Sequence, residues 1–206
     1  MSTITIIGTG GMAAAIARRA SAAGHTIEVL SRDTTRGQAF VDRLAINATV
    51  GVQGTAPAGD LVVLAVPYGA AAEVVSAYGD QLRGKVIIDI TNPLLADAGN
   101  VVALAGSSGA QAIAELLPEG TPVVKAFNTI IGGVLARQGS LDAFIAADDP
   151  QAKARVSEFI TGLGLRPLDV GALQMARALE DAAVLLIGLA QNGVGSFDLA
   201  LSVDVG

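Results

Sequence analysis

A glycine-rich turn between a short apolar run and an alanine-rich stretch constrains this chain most strongly. Gly8-Thr9-Gly10-Gly11-Met12-Ala13 follows the apolar run Ile4–Ile7 and begins a stretch with the composition of a helix. In this G-x-G-x-x-(G/A) pattern, glycines permit the turn and let a pyrophosphate approach backbone N–H groups at a positive helix end. The pattern alone is weak, because glycine also occurs in turns that bind nothing.

A second signal lies about 20 residues further on, where dinucleotide-binding proteins select their cofactor. The predicted helix Gly11–Ala23 ends at Gly24, and the predicted strand Thr26–Leu30 runs directly into Ser31-Arg32. NAD-binding chains place Asp or Glu here to accept a hydrogen bond from the ribose 2′-hydroxyl. A guanidinium and a hydroxyl favour a 2′-phosphate instead, and Arg36 adds a second cation. An arginine at a strand end is also a common surface charge, but the combined pattern predicts NADP(H) binding.

Composition excludes several other classes of protein. The 206 residues carry 13 basic and 19 acidic side chains, a net charge of −6 that does not suit nucleic-acid or anionic-membrane binding. Apolar residues make up 51% of the chain, yet no apolar run approaches the ~20 residues that cross a bilayer. Without cysteine and with one histidine, we expect no metal site and no Ser/His/Asp triad. The absence of cysteine and of a basic leader predicts a cytoplasmic protein.

The alternation of short β-branched runs with helical stretches predicts an α/β fold, a doubly wound and mostly parallel Rossmann-like sheet with a C-terminal helical extension. We expect a single domain over residues 1–206. The predicted strands are Thr3–Ile7, Thr26–Leu30, Thr49–Val52, Leu61–Val66, Val86–Ile90, Val123–Ala126, Phe144–Ala147 and Arg166–Val170. A capping box, Ser108-x-x-Gln111, predicts a helix over Ala110–Leu117, and Asp149-Pro150 predicts another over Gln151–Leu163.

The C-terminal segment predicts a long apolar helix, Leu173–Gln191, followed by a glycine-punctuated tail, Gly193–Gly206. A helix this apolar must be covered by the sheet, by another subunit or by a ligand. A homodimer is therefore one interpretation, and burial of the helix in its own subunit is the other.

Residues that follow the strands are the candidates for ligand contact, because ligands of open α/β sheets bind at the carboxyl ends of the strands. Val66-Pro67-Tyr68, Thr91-Asn92-Pro93 and Phe127–Ile130 follow three successive predicted strands and line a path from ribose to nicotinamide. The alternative is that the prolines only end strands and that Tyr68 only packs.

Few side chains could move a proton. His25 follows Gly24 and is interpreted as part of a helix C-cap. Lys125, at a strand end, is either catalytic or a lysine that reaches solvent, and the pattern favours the second interpretation. We therefore predict no catalytic residue, which suits direct hydride transfer in which the cofactors carry the chemistry.

The chain resembles the F420-dependent NADP oxidoreductases, which pass hydride between NADPH and the deazaflavin coenzyme F420. The segments that carry this resemblance are Ile6–Gly10, Ala23–His25, Ser31-Arg32, Ala65–Pro67, Val124–Ile130 and Gly164–Gly171. The last two segments are the more specific, since the first occurs in many Rossmann proteins.

The resemblance implies that Thr9 to Met12 hold the pyrophosphate and that the deazaflavin lies against Pro93, Asn128, Ile130 and Leu173–Met175. It also implies that the tail near Leu199–Leu201 closes the pocket, so that residues 171–206 cover the acceptor site. The complete set of predicted cofactor-binding residues is Gly8, Thr9, Gly10, Gly11, Met12, Ser31, Arg32, Arg36, Val66, Pro67, Ala70, Asn92, Pro93, Asn128, Ile130 and Gly132. An NADPH-dependent flavin reductase and a non-catalytic NADP(H)-sensing module remain alternatives; all three imply a small-molecule partner.

Overall fold

Short strands rich in Ile, Val and Leu form the centre of the protein, as their sequence predicts. The computed structural model describes residues 2–97, 100–103, 106–137 and 139–204. The strands are β1 (Thr3–Ile7), β2 (Thr26–Ser31), β3 (Ala48–Val52), β4 (Leu61–Leu64), β5 (Val86–Asp89), β6 (Leu94–Asp97), β7 (Asn100–Ala103), β8 (Val123–Lys125), β9 (Asp142–Ile145) and β10 (Arg166–Asp169). The helices are α1 (Gly11–Ala22), α2 (Thr34–Leu44), α3 (Tyr68–Tyr78), α4 (Gly109–Ala114), α5 (Gly132–Leu135), α6 (Pro150–Gly162) and α7 (Ala176–Gly188).

Six parallel strands form the main sheet, in the order β3-β2-β1-β4-β5-β8. The chain leaves β1 toward β2 and β3 on one side and later returns to place β4, β5 and β8 on the other. The direction in which strands are added therefore reverses between β1 and β4, where Ile6 lies beside Val63. This is the doubly wound order in which ligands bind at the carboxyl ends of the central strands. The predicted Rossmann-like fold is confirmed.

Two of the predicted strands lie outside the main sheet. The strands β9 and β10 pair in parallel with each other, and only a single antiparallel bridge between Lys125 and Ala146 connects them to β8. An antiparallel hairpin of β6 and β7 was not predicted. Its strands have four residues each, too short for a clear pattern of alternation, and the turn residues 98–99 lie outside the described chain.

The capping signals in the sequence predict well where α4 and α6 begin. Ser108 and Gln111 form the predicted capping box, although α4 ends at Ala114, before the predicted end at Leu117. The Asp149 side chain accepts a hydrogen bond from Ala152 N–H at 2.7 Å and caps α6, with Pro150 in its first turn. These caps satisfy backbone N–H groups that the helix itself leaves free.

The predicted C-terminal helix is divided into three parts. A 3₁₀ turn over Leu173–Met175 precedes α7, and a wider π-type turn over Leu189–Gly193 follows it. One face of α7 is covered by the chain's own core through Leu179, Ala183 and Leu186. The opposite face leaves side chains exposed. Of the predicted tail, residues 205–206 lie outside the described chain, and the rest runs back to the sheet edge, where Ala200 bridges Ile130.

Candidate functional site

The glycine turn connects the end of β1 to the start of α1. Gly8 has a φ of +120°, and a Cβ there would overlap the Ala65 carbonyl oxygen and lie 3.0 Å from its carbonyl carbon. The fold itself therefore requires glycine at this position. Gly10 is different: as the N-cap of α1 it has ordinary extended angles, and a Cβ would meet no atom within 4 Å. The open space above Gly10 leaves the first N–H groups of α1 accessible to an anion.

The basic segment after β2 faces the same space. Ser31 is buried and lines this region, and Arg32 is exposed. Asp33 accepts hydrogen bonds from Thr35 N–H at 2.8 Å and Arg36 N–H at 3.3 Å, and so caps α2. Its second carboxylate oxygen lies 3.7 Å from Arg36 Nε. The Asp33 carboxylate is engaged by the helix and by Arg36, whereas the exposed Arg32 guanidinium has no ion-pair partner among the residues that the structure describes.

These segments line a first cleft of about 310 Å³ at the carboxyl ends of β1, β2 and β4. It brings together nine of the sequence-predicted site residues, namely Gly8, Thr9, Gly10, Ser31, Arg32, Arg36, Val66, Pro67 and Ala70. Sequence reasoning missed Asp33, Gln53, Glu73 and Val74, which also line it. Asp33 could have been found, because an Asp before a polar helix start is a strong N-cap signal.

A second cleft of about 250 Å³ lies on the other side of the α1 N-terminus. It brings together five further predicted residues, Met12, Asn92, Asn128, Ile130 and Gly132. Thr129, which belongs to the predicted segment Phe127–Ile130, also lines it, and sequence reasoning missed the remainder, Ile131, Ala183, Leu186, Ile187 and Phe197. No ionisable side chain is present among these described lining residues. The cleft can therefore hold and orient an apolar ring but offers no acid or base to it.

Two asparagines form the polar part of the second cleft. Asn128 Nδ2 donates to Asn92 Oδ1 and to the Leu179 carbonyl, each at 2.9 Å, and Asn92 Nδ2 donates to the Asn128 carbonyl at 3.0 Å. Asn128 is 6% exposed, and its Oδ1 has no partner among the described residues. Phe127, directly before it, has a φ of +60°, a left-handed conformation that a bulky residue rarely adopts. A buried acceptor of this kind can take a hydrogen bond from a bound ligand or from water.

Several predicted positions differ from the observed ones. Gly11 and Pro93 line neither cleft, although Gly11 lies beside Gly132 between the two. The Leu173–Met175 stretch is not at the second cleft: Leu173 packs near Val123, at the opposite end of β8, and its N–H donates to Asp148. The next turns of α7 provide the lining instead, because the helix runs from that end toward the carboxyl ends of the strands.

The tail reaches the second cleft through Phe197 rather than through the predicted Leu199–Leu201. Arg137 forms an ion pair with Asp198 next to this phenylalanine. Further along, Asp142 accepts a hydrogen bond from Val203 N–H at 2.7 Å and two from Arg166 at 2.6 and 2.7 Å. The Arg166 guanidinium holds the pKa of the Asp142 carboxyl below its ordinary value of 3.8. These contacts fix the tail on the C-terminal side of Phe197.

The expectation that Lys125 reaches solvent is wrong. Its side chain is completely buried, with Nζ 2.9 Å from Asp89 Oδ2 and 2.8 Å from Glu180 Oε1. These two carboxylates lie far from Lys125 in sequence and could not be assigned to it from the pattern. His25 lies at the end of α1, where its backbone N–H donates to the Ala20 carbonyl at 3.0 Å, as the C-cap interpretation predicts.

Neither a membrane-spanning helix nor a metal-binding group of side chains is present in the part of the chain that the structure describes. There, no helix has both the length and the apolar character needed to span a membrane. Likewise, the described His, Asp and Glu side chains form no group of three that could hold a metal ion.

The fold and the two clefts define the class of the protein, a dinucleotide-binding oxidoreductase of the Rossmann type. Residues 3–93 match the family described as NADP oxidoreductase, coenzyme F420-dependent. The F420-dependent NADP reductase of Methanothermobacter thermautotrophicus is 30% identical over 206 aligned residues, which cover 92% of this chain and 89% of that protein. The chain therefore belongs to this family and is an NADP-dependent oxidoreductase.

Two further similarities, one in sequence and one in structure, bear on this family membership. The metalloreductase STEAP3 of Rattus norvegicus is 31% identical over 89% of this chain, but the match spans only 37% of the rat protein. A solved structure from Arthrobacter sp. FB24, described as a candidate F420-dependent NADP reductase, superposes with a TM-score of 0.88 over the full length of both chains. Its sequence is 23% identical, so it supports the fold alone.

Proposed function

We propose that this protein transfers a hydride between NADP(H) in the first cleft and a deazaflavin, coenzyme F420, in the second cleft. The observation that carries the proposal is the absence of any ionisable side chain from the described lining of the second cleft. Reduction of a ketone or an imine needs a group that supplies a proton near the reacting atom. A deazaflavin accepts a hydride at a ring carbon and takes its proton at a separate ring nitrogen that can face solvent. The protein therefore needs only to orient the rings and to exclude water from the reacting carbon.

Residues of the first cleft would hold the phosphates of NADP(H). The first N–H groups of α1 would bind the pyrophosphate above Gly10, where the structure leaves open space. The Arg32 guanidinium would bind the 2′-phosphate, with the Ser31 hydroxyl as a further donor and Arg36 as a second cation. Arg36 would have to exchange its 3.7 Å approach to Asp33 for the phosphate. The nicotinamide end would then pass the α1 N-terminus, beside Met12 and Gly132, to the junction of the two clefts.

The second cleft would take the acceptor ring. Its volume, about 250 Å³, lies just below the range of roughly 300–1,000 Å³ of small-molecule sites, so it suits a ring system whose side chain remains outside. Asn128 Oδ1, which lacks a donor, would accept a hydrogen bond from the carboxamide of the nicotinamide. Ala183, Leu186, Ile187 and Phe197 would cover the ring and exclude water. In this proposal residues 171–206 are the cover of the acceptor site, within a single domain.

The reaction is a two-electron exchange. NADPH loses a hydride from the nicotinamide C4 and becomes NADP⁺, while the acceptor ring gains that hydride and one solvent proton. The chain's residues bind and orient the two rings at contact distance, which supplies the main advantage over reaction in solution.

The test is turnover with isotopic labelling. NADPH carrying deuterium at C4 is mixed with the protein and oxidised F420, and the reduced product is analysed by mass spectrometry. The proposal predicts direct transfer of one deuterium to the deazaflavin. Parallel reactions contain FMN, or a panel of ketones and imines, in place of F420.

Each outcome assigns a different function. Transfer to FMN but not to F420 would identify a flavin reductase and contradict the proposed acceptor. Reduction of the ketones or imines alone would contradict the interpretation that the second cleft binds a deazaflavin and offers no proton donor. Tight NADPH binding without turnover of any acceptor would indicate an NADP(H)-sensing module. NADH in place of NADPH serves as the control for cofactor selection, and we expect it to react more slowly at equal concentration.

A further inference from the structure

The buried Lys125 forms a closed network behind the second cleft. Its Nζ lies 2.9 Å from Asp89 Oδ2, 2.8 Å from Glu180 Oε1 and 2.5 Å from the Thr91 carbonyl oxygen. These acceptors belong to the end of β5, to α7 and to the turn after β5. An ammonium has three N–H donors, so all three are used. Lys125 therefore has no donor left for a ligand and cannot itself be a catalytic residue.

The remaining oxygens of the network are also paired. Asp89 Oδ1 accepts a hydrogen bond from Thr91 N–H at 2.9 Å, and Glu180 Oε2 accepts one from Gly109 N–H at 3.0 Å. One cation thus faces two carboxylates, and these three side chains are at most 1% exposed. Apolar residues of similar volume often replace such buried ionic clusters with equal or better stability. The network therefore requires an explanation beyond stability.

The network holds both partners of the asparagine pair in the second cleft. Thr91, whose carbonyl and N–H it binds, directly precedes Asn92. Glu180 directly follows Leu179, whose carbonyl accepts the Asn128 side chain at 2.9 Å. Asn92 and Asn128 are therefore each attached to a group that the ammonium fixes.

The backbone between Lys125 and Asn128 is held in an uncommon conformation. Phe127 has a φ of +60°, and its side chain is completely buried. A residue remains in this region only when its surroundings determine its position, and such residues cluster at functional sites. The ion pairs of Lys125 on one side and the hydrogen bonds of Asn128 on the other provide those surroundings.

We propose that Lys125 is a positioning residue for hydride transfer. Its ammonium fixes the turn after β5, the turn after β8 and α7 relative to one another, and thereby sets the position of Asn128 at the junction of the two clefts. The inference rests on the proposed function, because this alignment matters only when a hydride crosses the second cleft. A displacement of about 1 Å at a reacting centre can reduce the rate about 100-fold.

The test compares an uncharged network with the native one. Lys125→Met alone would leave two buried carboxylates unpaired, so the main variant is the triple change Lys125→Met, Asp89→Asn, Glu180→Gln, which keeps the side-chain volumes similar. Lys85→Met is the matched control. Lys85 lies at the opposite end of β5, where it pairs with Asp60 at 3.3 Å.

We expect the triple variant to melt near the wild-type temperature and to bind NADPH within about twofold of the wild type, since the first cleft is unchanged. We expect kcat to fall roughly 10- to 100-fold and the deuterium isotope effect on kcat to rise, because hydride transfer becomes slower than the other steps. Lys85→Met should change none of these quantities.

Wild-type values of kcat and isotope effect in the triple variant would overturn the proposal, because the ammonium would then only balance charge. Equal losses in NADPH affinity and kcat would also overturn it, since they indicate general disruption. If the triple variant does not fold, Glu180→Gln is measured in the same way. A lower kcat with unchanged NADPH affinity supports the proposal, and an unchanged kcat and isotope effect refutes it.

The failure of the proposed function has a separate signature. In that case the wild-type protein itself turns over neither F420 nor FMN. The fluorescence lifetime of bound NADPH then replaces kcat, because it reports how firmly the nicotinamide ring is held. A shorter lifetime in the triple variant at equal affinity supports a positioning role, and equal lifetimes contradict it.

Discussion

Replacing Gly10 with alanine tests whether the glycine turn exists for a bound pyrophosphate. A Cβ at Gly10 meets no protein atom within 4 Å, and the residue has ordinary extended backbone angles. The change should therefore lower the free energy of unfolding by less than about 1 kcal/mol, the usual scale for N-cap substitutions. The added methyl group would instead occupy the space through which a phosphate reaches the α1 N-terminus.

The expected loss of affinity follows from the bonds that the methyl group blocks. A hydrogen bond to a charged group contributes about 1.5–3 kcal/mol. Loss of one such bond to the pyrophosphate corresponds to roughly a 10- to 150-fold weaker affinity. Both NADPH and NADH carry the pyrophosphate, so both should weaken by the same factor.

Gly8→Ala provides the contrast within the same turn. Its Cβ would overlap the Ala65 carbonyl oxygen at a φ of +120°, so we expect a loss of at least about 3 kcal/mol in the free energy of unfolding. Fluorescence titration measures the nucleotide affinities, and urea unfolding measures stability. Gly188→Ala, whose Cβ also meets open space, is the control for adding a methyl group. Undiminished NADPH affinity in Gly10→Ala would refute the role of Gly10 in pyrophosphate binding. A stable Gly8→Ala would refute the role of Gly8 in the fold.

Three further predictions concern the second cleft, the tail and the oligomeric state. Gly132→Val places side-chain atoms near Met12 Sδ, which lies 3.3 Å from a Cβ at this position, and should raise the acceptor KM by a larger factor than it weakens NADPH, whose phosphates bind in the first cleft; unchanged kinetics would contradict the site. Arg166 lowers the pKa of Asp142, so this carboxylate stabilises the fold above its ordinary pKa of 3.8 and loses that contribution as the pH falls through the lower folded value. Urea unfolding should show Asp142→Asn less stable than the wild type at neutral pH, with a smaller loss in acid; equal pH profiles would disprove the role. The exposed Leu185 of α7 and Leu189 of the π-type turn after it predict a homodimer by light scattering, which Leu185→Glu should dissociate; a wild-type monomer would exclude it.

The first cleft was predictable because its signals are local in the sequence. The glycine turn, the helix stop at Gly24 and the basic residues after β2 all fall within the first 36 residues, and each has a defined effect on the backbone. Parallel strands then bring their carboxyl ends together without further information. The same segment also contains the signal for Asp33, because an Asp before a polar helix start is a common N-cap.

The second cleft was predictable only in part, because α7 forms one of its walls. The position of α7 depends on contacts such as Asn128 with Leu179, which are 51 residues apart. The apolar pattern of the helix indicates that it is buried but not which turn meets the sheet edge, so Leu173–Met175 was assigned in place of Ala183 and its neighbours. The burial of Lys125 could not be predicted for the same reason, because it depends on carboxylates 36 and 55 positions away in the sequence.

Measuring the affinity of Arg32→Ala for NADPH and for NADH tests most directly whether Arg32 selects NADP(H). Arg43→Ala removes the same charge from the far end of α2 and is the control. Arg32→Ala should weaken NADPH binding by about 1–3 kcal/mol, roughly 5- to 150-fold, and leave NADH binding nearly unchanged, because only NADPH carries the 2′-phosphate. Equal losses for the two nucleotides, or no loss for either, would contradict the selection of NADP(H) by Arg32.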